Sequence, residues 1–500
     1  MSSFIGIDLG TTFSAISYID ETGRPQIIPN KEGNNITPSV VADKDGKLDV
    51  GTEASVRTWS VNPEMAASRF KRYMSDKKKR YSVAGKDYSP AELSSFILRK
   101  LVQDSSDIVG DIEEVVVTIP ANFSNEAREA TMESCKLAGL DVNYIINEPT
   151  AAALYYAFTK GKELSGNYAV YDLGGGTFDF SIIKVVGQDI EILSSHGIEQ
   201  CGGDDFDKAI YEIAEAKYKE KTGEDIKAGD FSLIDAEEEK KALSSRKKTL
   251  AQIGTELIEI TLEEFEEKIA PRVQQTKLLM ESTIEESGLQ PGDIQEVFLA
   301  GGSTRMPMVR EAIANTFGKE PTSTINVDEV VALGASLYAA YKGDRSKLGE
   351  AAKSSISQIS VQEVTSKCFG TIHLHPDEET QSWVDRNLVI IERGEKIPVS
   401  KTDTLYPMRD EQEYVELSVT ESVAADTDPR FVRIIWNGKL EFADPSLVRD
   451  TDEIEIEYSY DENQIMHCKF TRENDETIEV SLSMTDDEVD GDDPTKVEVL

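Results

Sequence analysis

"FIGIDLGTTFSAISYI" (Phe4–Ile19) and "YAVYDLGGGTFDFSIIKV" (Tyr168–Val185) follow one pattern: an apolar strand ending in Asp, a Gly/Thr turn, and a second apolar strand. The residues after each turn are β-branched and aromatic, so each copy reads as a β-hairpin. That excludes a Walker P-loop and a Rossmann fingerprint, whose glycines precede a helix. A tight turn with Gly10 and Thr12, or with Gly174, Gly175, Gly176 and Thr177, can aim several N–H groups at one phosphate. Asp8 and Asp172, at the ends of the preceding strands, are placed to hold Mg²⁺ through its water shell. One copy alone reads equally as an ordinary hairpin. Two copies sharing the motif read as opposed jaws for a polyphosphate.

Three further stretches point to the same chemistry. "EVFLAGGSTRMPMVREAIANTFG" reads strand, Gly301-Gly302 turn, then a helix with Pro307 in its first turn. A helix N-terminus favours anions, although this connection is common in α/β folds. In "DAEEEKKALSSRKK" the side chains of Glu237, Lys240, Lys241 and Ser244 fall on one helical face. That face is a solvated Glu–Lys stripe or, beside the other motifs, a platform for a purine and ribose. "SRFKRYM" sets Lys71 between Arg69 and Arg72, a basic cluster in a chain where 93 acidic residues outnumber 53 basic ones.

A net charge of −40 repels phosphate backbones and argues against nucleic acid as a partner. No apolar run approaches the roughly 18 residues of a membrane helix. The N-terminus has no basic segment followed by an apolar core, so a cytoplasmic protein is expected. Cys135, Cys201, Cys368 and Cys468 are scattered without a CxxC pair, which fits a reducing compartment and no zinc site.

Residues 1–343 alternate strand and helix patterns, as in "EEVVVTIP" followed by "SNEAREATMESCKLAG", with Ser124 as N-cap and Gly139 at the stop. "VNYII" reads as a strand and "NEPTAAALYYAF" as a helix with Pro149 in its first turn. Residues 344–360 are polar and Ser-rich and read as a linker. From 361 to 485 the period becomes two, which predicts a β-sandwich, with Asn437-Gly438 as a hairpin turn. Residues 486–500 form an acidic tail. The apolar positions Ile390, Ile391, Leu417 and Val419 line either a groove or the sandwich core, and core is the better expectation because alternating strands need an apolar inner face.

Taken together, "GIDLGTTFS", "NKEGNNITPSVV", "IPANFSNEAREAT", "INEPTAAAL", "YDLGGGTFD", "CGGDDFD", "LAGGSTRMPMV" and "NVDEVVALGAS" resemble, in order, the motifs of the heat-shock protein 70 (DnaK-type) chaperones, from Phe4 to about Tyr341. The resemblance implies an actin-like ATPase fold of two lobes from a duplicated α/β unit, followed by a peptide-binding β-sandwich. It implies ATP or ADP with Mg²⁺ and leaves K⁺ open. By resemblance, Lys71, Glu148, Asp172 and Thr177 are catalytic, and Asp8 and Asp172 are Mg²⁺-associated. Gly10, Thr11, Thr12, Phe13, Gly174, Gly175, Gly176, Gly202, Gly203, Glu237, Lys240, Lys241, Ser244, Gly301, Gly302, Ser303, Arg305 and Asp328 match nucleotide contacts. Lys241 stands where several relatives have Arg, so stacking on adenine is expected to be weaker.

Three departures are visible. The chain stops soon after the sandwich, which implies a substrate domain without the helical lid. Residues 344–360 lack the leucine run with which relatives couple their domains. Tyr144 stands where many members carry an arginine that contacts J-domain co-chaperones. An unfamiliar insert runs from Val423 to Asp452. The expected partners are unfolded or extended polypeptide and a nucleotide-exchange factor, with a J-domain partner in doubt; a monomer is expected. Two functions fit: a lidless ATP-hydrolysing chaperone, and a nucleotide-stabilised scaffold that binds one defined partner. A sugar or acetate kinase on the same duplicated fold is disfavoured by the intact "NEPTAAAL" and "GGSTRMP" motifs.

Overall fold

The computed structural model describes residues 3–160, 164–187, 189–227, 229–323, 326–356, 360–376, 382–408, 411–442, 453–462, 464–472 and 477–481. The chain divides into two compact units, Met1–Val361 and Gln362–Glu488. In the first unit both quoted hairpins form, and each occupies the middle of its own sheet. Strand β1 (Ser3–Asp8) turns into β2 (Phe13–Ile19), and its other edge pairs in parallel with β3 (Ile112–Ile119), which is followed by β4 (Tyr144–Asn147). In the second sheet β5 (Ser165–Leu173) turns into β6 (Phe178–Val186), with β7 (Asp189–Ile198) beyond it and β8 (Ile294–Ala300) parallel on the opposite side. The two arrangements correspond: a central strand with a carboxylate at its last or next-to-last residue, an antiparallel hairpin partner and a parallel neighbour.

Both central strands are buried on both faces, which their near-continuous apolar runs require. One apolar core gathers Ile5, Ile7, Phe96, Val117 and Ile145 under the first sheet; another gathers Tyr171, Phe180, Phe206, Ile210 and Leu299 under the second. The helices that fill the layers include α1 (Glu53–Val61), α2 (Asn125–Leu137), α3 (Glu148–Lys160), α4 (Gly203–Thr222), α5 (Leu233–Leu243), α6 (Pro307–Phe317), α7 (Val330–Lys342) and α8 (Glu350–Ile356), beside the long helices Pro90–Ser105 and Leu262–Glu286. Ser124 caps α2 by accepting from the Ala127 N–H at 3.3 Å, and Gly139 just beyond the helix is left-handed (φ 77°). The Ala-rich faces of α3 and α7 let these helices cross closely. A Cβ on Gly334 would overlap the Ala151 carbonyl, and one on Gly6 would overlap the α7 backbone at Ala332 and Ser336. Ser17 in β2 donates to the Ala332 carbonyl at 2.7 Å and fastens α7 to the first sheet.

The segment read as a linker contains regular structure. Residues 345–347 form a 3₁₀ turn, capped by the Asp344 carboxylate, and 350–356 form α8. "EAAKSSI" has helix-forming residues, and Leu348, Ala352 and Ile356 are all buried, so burial rather than composition decides the segment.

The second unit contains two four-stranded antiparallel sheets. Strands β9 (Cys368–Pro376), β10 (Trp383–Ile391), β11 (Val399–Leu405), β12 (Tyr414–Ser422), β13 (Arg433–Glu441), β14 (Ile454–Tyr460), β15 (Met466–Arg472) and β16 (Ile478–Ser481) are arranged in the orders β10-β9-β12-β13 and β11-β14-β15-β16. One apolar core draws on both sheets and buries Ile390, Ile391, Leu417 and Val419, so these four residues belong to packing. The Asn437-Gly438 turn is overturned: both residues lie inside β13, Leu417 opposite Gly438 and Ser418 opposite Asn437. Gly438 is there because a Cβ would collide with the Trp436 ring, which stacks on Phe470 at 5.7 Å. Of the Val423–Asp452 insert, a 3₁₀ turn (Pro429–Phe431) and β13 are described, while residues 443–452 and the acidic tail 486–500 lie outside the described residues. Among the described residues no helix is long and apolar enough to cross a membrane.

Candidate functional site

β1 and β5 deliver Asp8 and Asp172 to the same place, a cavity of about 450 Å³ in the first unit. Its walls are the two Gly/Thr turns, the α5 face, the β8–α6 connection and the Lys71 segment. This volume lies in the range of small-ligand sites. The turns face one another closely: a Cβ on Gly176 would sit 2.6 Å from the Thr11 hydroxyl, and one on Gly175 would overlap that of Thr12. The Thr12 hydroxyl is buried and has no hydrogen-bond partner among the described residues.

Each turn is braced from behind. The Gly10 N–H donates to Ser14 Oγ at 3.1 Å, and Ser39 Oγ donates to the Gly10 carbonyl at 2.8 Å. Ser303 Oγ donates to the Gly174 carbonyl at 2.9 Å. The Gly203 and Asp204 amides, first in α4, donate to the Gly174 and Gly175 carbonyls at 2.9 and 2.8 Å, so these amides support the turn. Gly202 packs against Gly175, where a Cβ would lie 2.5 Å from its carbonyl oxygen, and does not line the cavity. The expected glycine-turn-to-helix passage also differs: a 3₁₀ turn, Gly302–Arg305, separates β8 from α6.

Charge is concentrated here. Lys71 Nζ lies 2.5 Å from Glu148 Oε1, and both residues are buried, 5% and 8% exposed. Burial first, and the Glu148 carboxylate second, push the Asp8 carboxyl up to about 7, against relief from Lys71 and a Thr118 hydrogen bond. The same two causes push Asp172 well above the carboxylate range and Asp179, its partner across the β5–β6 hairpin, up to about 8. Carboxyls raised by shared burial form a site that is relieved when a cation arrives.

On the α5 side, Lys240 Nζ meets Asp207 at 2.6 Å and donates to the Gly203 carbonyl at 3.2 Å. Lys241 pairs with Glu237 and Glu238 at 3.1 and 2.9 Å. Arg305 pairs with Asp328 at 2.7 Å. Arg69 Nε lies 2.6 Å from Asp204, and Arg72 lies 3.1 Å from Asp205, joining the Lys71 segment to α4.

Apart from Gly202, every residue read from sequence as catalytic, metal-associated or nucleotide-contacting lines this cavity. Sequence reasoning missed Ile36, Asp204, Asp207, Met306, Val327 and Val331, which complete its walls. Asp204 and Asp207 could have been found, since "GGDDFD" repeats its acids at helical spacing beside a basic cluster. The apolar four carry no such signal. Tyr144 is half-buried at the start of β4, its ring 5.3 Å from Lys342 Nζ.

Two sheets of matching layout whose central strands present carboxylates to one shared, glycine-lined cavity define a class: an α/β unit with paired turns facing a cavity of small-ligand size. A family profile described as Hsp70 protein matches residues 4–82 and 74–497. The chain belongs to the Hsp70 family, whose members are ATPases with chaperone activity.

Proposed function

We propose that this protein is an ATP-binding and ATP-hydrolysing chaperone-like protein, with an actin-like first unit that holds Mg²⁺-ATP and a β-sandwich second unit that binds unfolded or extended polypeptide. The observation that carries this reading is the meeting of both Gly/Thr turns, Asp8, Asp172 and the Lys71–Glu148 pair at one cavity. The orphaned Thr12 hydroxyl and the raised carboxyls fit a phosphate and a divalent cation. Asp8 and Asp172, both lining the cavity, would hold the ion through its water shell, since Mg²⁺ dehydrates reluctantly. Bound Mg²⁺ supplies charge neutralisation for the phosphates.

The chain's own residues divide the remaining work. The turn amides and the Thr11, Thr12 and Thr177 hydroxyls bind phosphate oxygens. Lys71 neutralises charge at the terminal phosphate, and Glu148, oriented by Lys71, accepts a hydrogen bond from the attacking water. Such a site accelerates phosphoryl transfer by positioning and electrostatics. Glu237, Lys240 and Ser244 contact the nucleoside. A cytoplasmic location fits this reading.

One observation favours the second reading, a nucleotide-stabilised scaffold for one defined partner. Lys71, Arg69, Arg72 and Lys240 are each already engaged by a carboxylate, which leaves less positive charge for a transition state. Single-turnover hydrolysis of ATP by wild type and Lys71→Ala separates the two. Measurable cleavage that falls at least about 100-fold in the variant supports the ATPase. Nucleotide bound but equally uncleaved in both supports the scaffold. A peptide array adds the second criterion: broad affinity for apolar segments, weakened by ATP, belongs to the chaperone.

A further inference from the structure

The two halves of the site are equivalent in backbone and unequal in chemistry at one position. In the first sheet Ile7 pairs with Val117, which sets Asp8 beside Thr118 of β3. In the second sheet the corresponding pair is Asp172 and Ala300 of β8. Thr118 is fully buried and its hydroxyl donates to Asp8 Oδ1 at 3.0 Å. Ala300 is equally buried and has nothing to donate, and the Asp172 carboxylate makes no hydrogen bond among the described residues.

We propose that Thr118 is a positioning residue that fixes the Asp8 carboxylate, making Asp8 the held pole of the Mg²⁺ site and Asp172 the movable one. The inference rests on the reading of this cavity as a Mg²⁺-nucleotide site. A β-branched residue in a strand has a restricted χ1, so its hydroxyl is a rigid donor. A carboxylate held by such a donor loses less freedom when a hydrated cation docks on it. Asp172, with an alanine at its side, keeps the freedom to follow the cation and phosphates as they rearrange.

The test is ADP binding to the full chain by titration calorimetry, in excess Mg²⁺ and in EDTA, for wild type, Thr118→Val and Thr118→Ser. Wild type binds more tightly with Mg²⁺. Thr118→Val loses about tenfold of that gain, the size of one hydrogen bond to a charged group, and its affinity in EDTA is unchanged. Thr118→Ser, which keeps the hydroxyl but not the stiff β-branch, retains most of the gain. The proposal is overturned if Thr118→Val keeps the wild-type Mg²⁺ gain, if it loses affinity equally with and without Mg²⁺, or if Thr118→Ser loses as much as Thr118→Val. Should the valine variant fail to fold, Thr118→Ala carries the same expectations. Wild type that binds no ADP in either buffer would instead remove the nucleotide reading beneath the proposal.

Discussion

Removing the Lys71 ammonium isolates the charge logic of the site. Lys71 faces Glu148 at 2.5 Å, with both side chains buried, and it is also the cation that lowers the raised carboxyls of Asp8, Asp172 and Asp179. Breaking a buried ion pair from one side costs about 3–5 kcal/mol, because the remaining charge is stranded. Lys71→Met should therefore destabilise the nucleotide-free protein by about 3 kcal/mol, the low end of that range. At about 2 °C per kcal/mol for a large unit, that is a fall of about 6 °C in Tm. Glu148→Gln should cost less, because Lys71 still faces the aspartates. The Lys71→Met/Glu148→Gln protein should be more stable than the sum of the single effects allows, by about 2 kcal/mol of coupling. Differential scanning calorimetry of the four proteins without Mg²⁺ or nucleotide measures this. Additivity within about 0.5 kcal/mol would refute the pairing as the organising contact of the cavity.

Arg69→Ala removes the 2.6 Å contact with Asp204 that ties the Lys71 segment to α4, and should speed release of a fluorescent ADP analogue about fivefold in stopped flow; an unchanged rate would contradict a bridging role. Burial and Glu148 hold the Asp8 and Asp179 carboxyls protonated in the fold up to about 7 and 8 against an ordinary 3.8, so these groups make the nucleotide-free protein less stable as pH rises through that interval. Mg²⁺ needs Asp8 ionised, so the thermal shift produced by Mg²⁺-ADP should grow between about pH 6 and pH 8, and a pH-independent shift would count against the assignment. Gly438→Ala should push the Trp436 ring off Phe470, costing the second unit about 1–3 kcal/mol and shifting tryptophan emission to longer wavelength; wild-type stability and emission would show that the close approach is not limiting.

The first unit was legible because its ligand-facing residues sit in local motifs with strong backbone demands. Asp-Leu-Gly-x-Thr can be read without knowing what lies across the cavity, and its second occurrence carried the argument. Gly202 stands behind the turn rather than on the cavity wall, because a glycine that admits a neighbouring turn has the same sequence signature as one that admits a phosphate. Ile36, Met306, Val327 and Val331 were missed because an apolar wall residue looks like any core residue until the chain is folded. The helix within residues 344–360 was missed for a related reason. Ala352 and Ile356 acquire a buried surface that composition does not announce, and that surface turns a Ser-rich stretch into a helix. Asn437-Gly438 misled because turn propensity is a weak local preference, and pairing of β13 along β12 outweighs it.

The central claim is that paired turns grip one nucleotide, and calorimetric titration of Mg²⁺-ATP into the full chain tests it most directly. Wild type should bind one nucleotide per chain, and Gly175→Val, whose side chain would fill the space at the Thr12 hydroxyl, should bind none while remaining folded by circular dichroism. Absence of heat from wild type at millimolar ATP, or unaltered binding by folded Gly175→Val, would contradict the account.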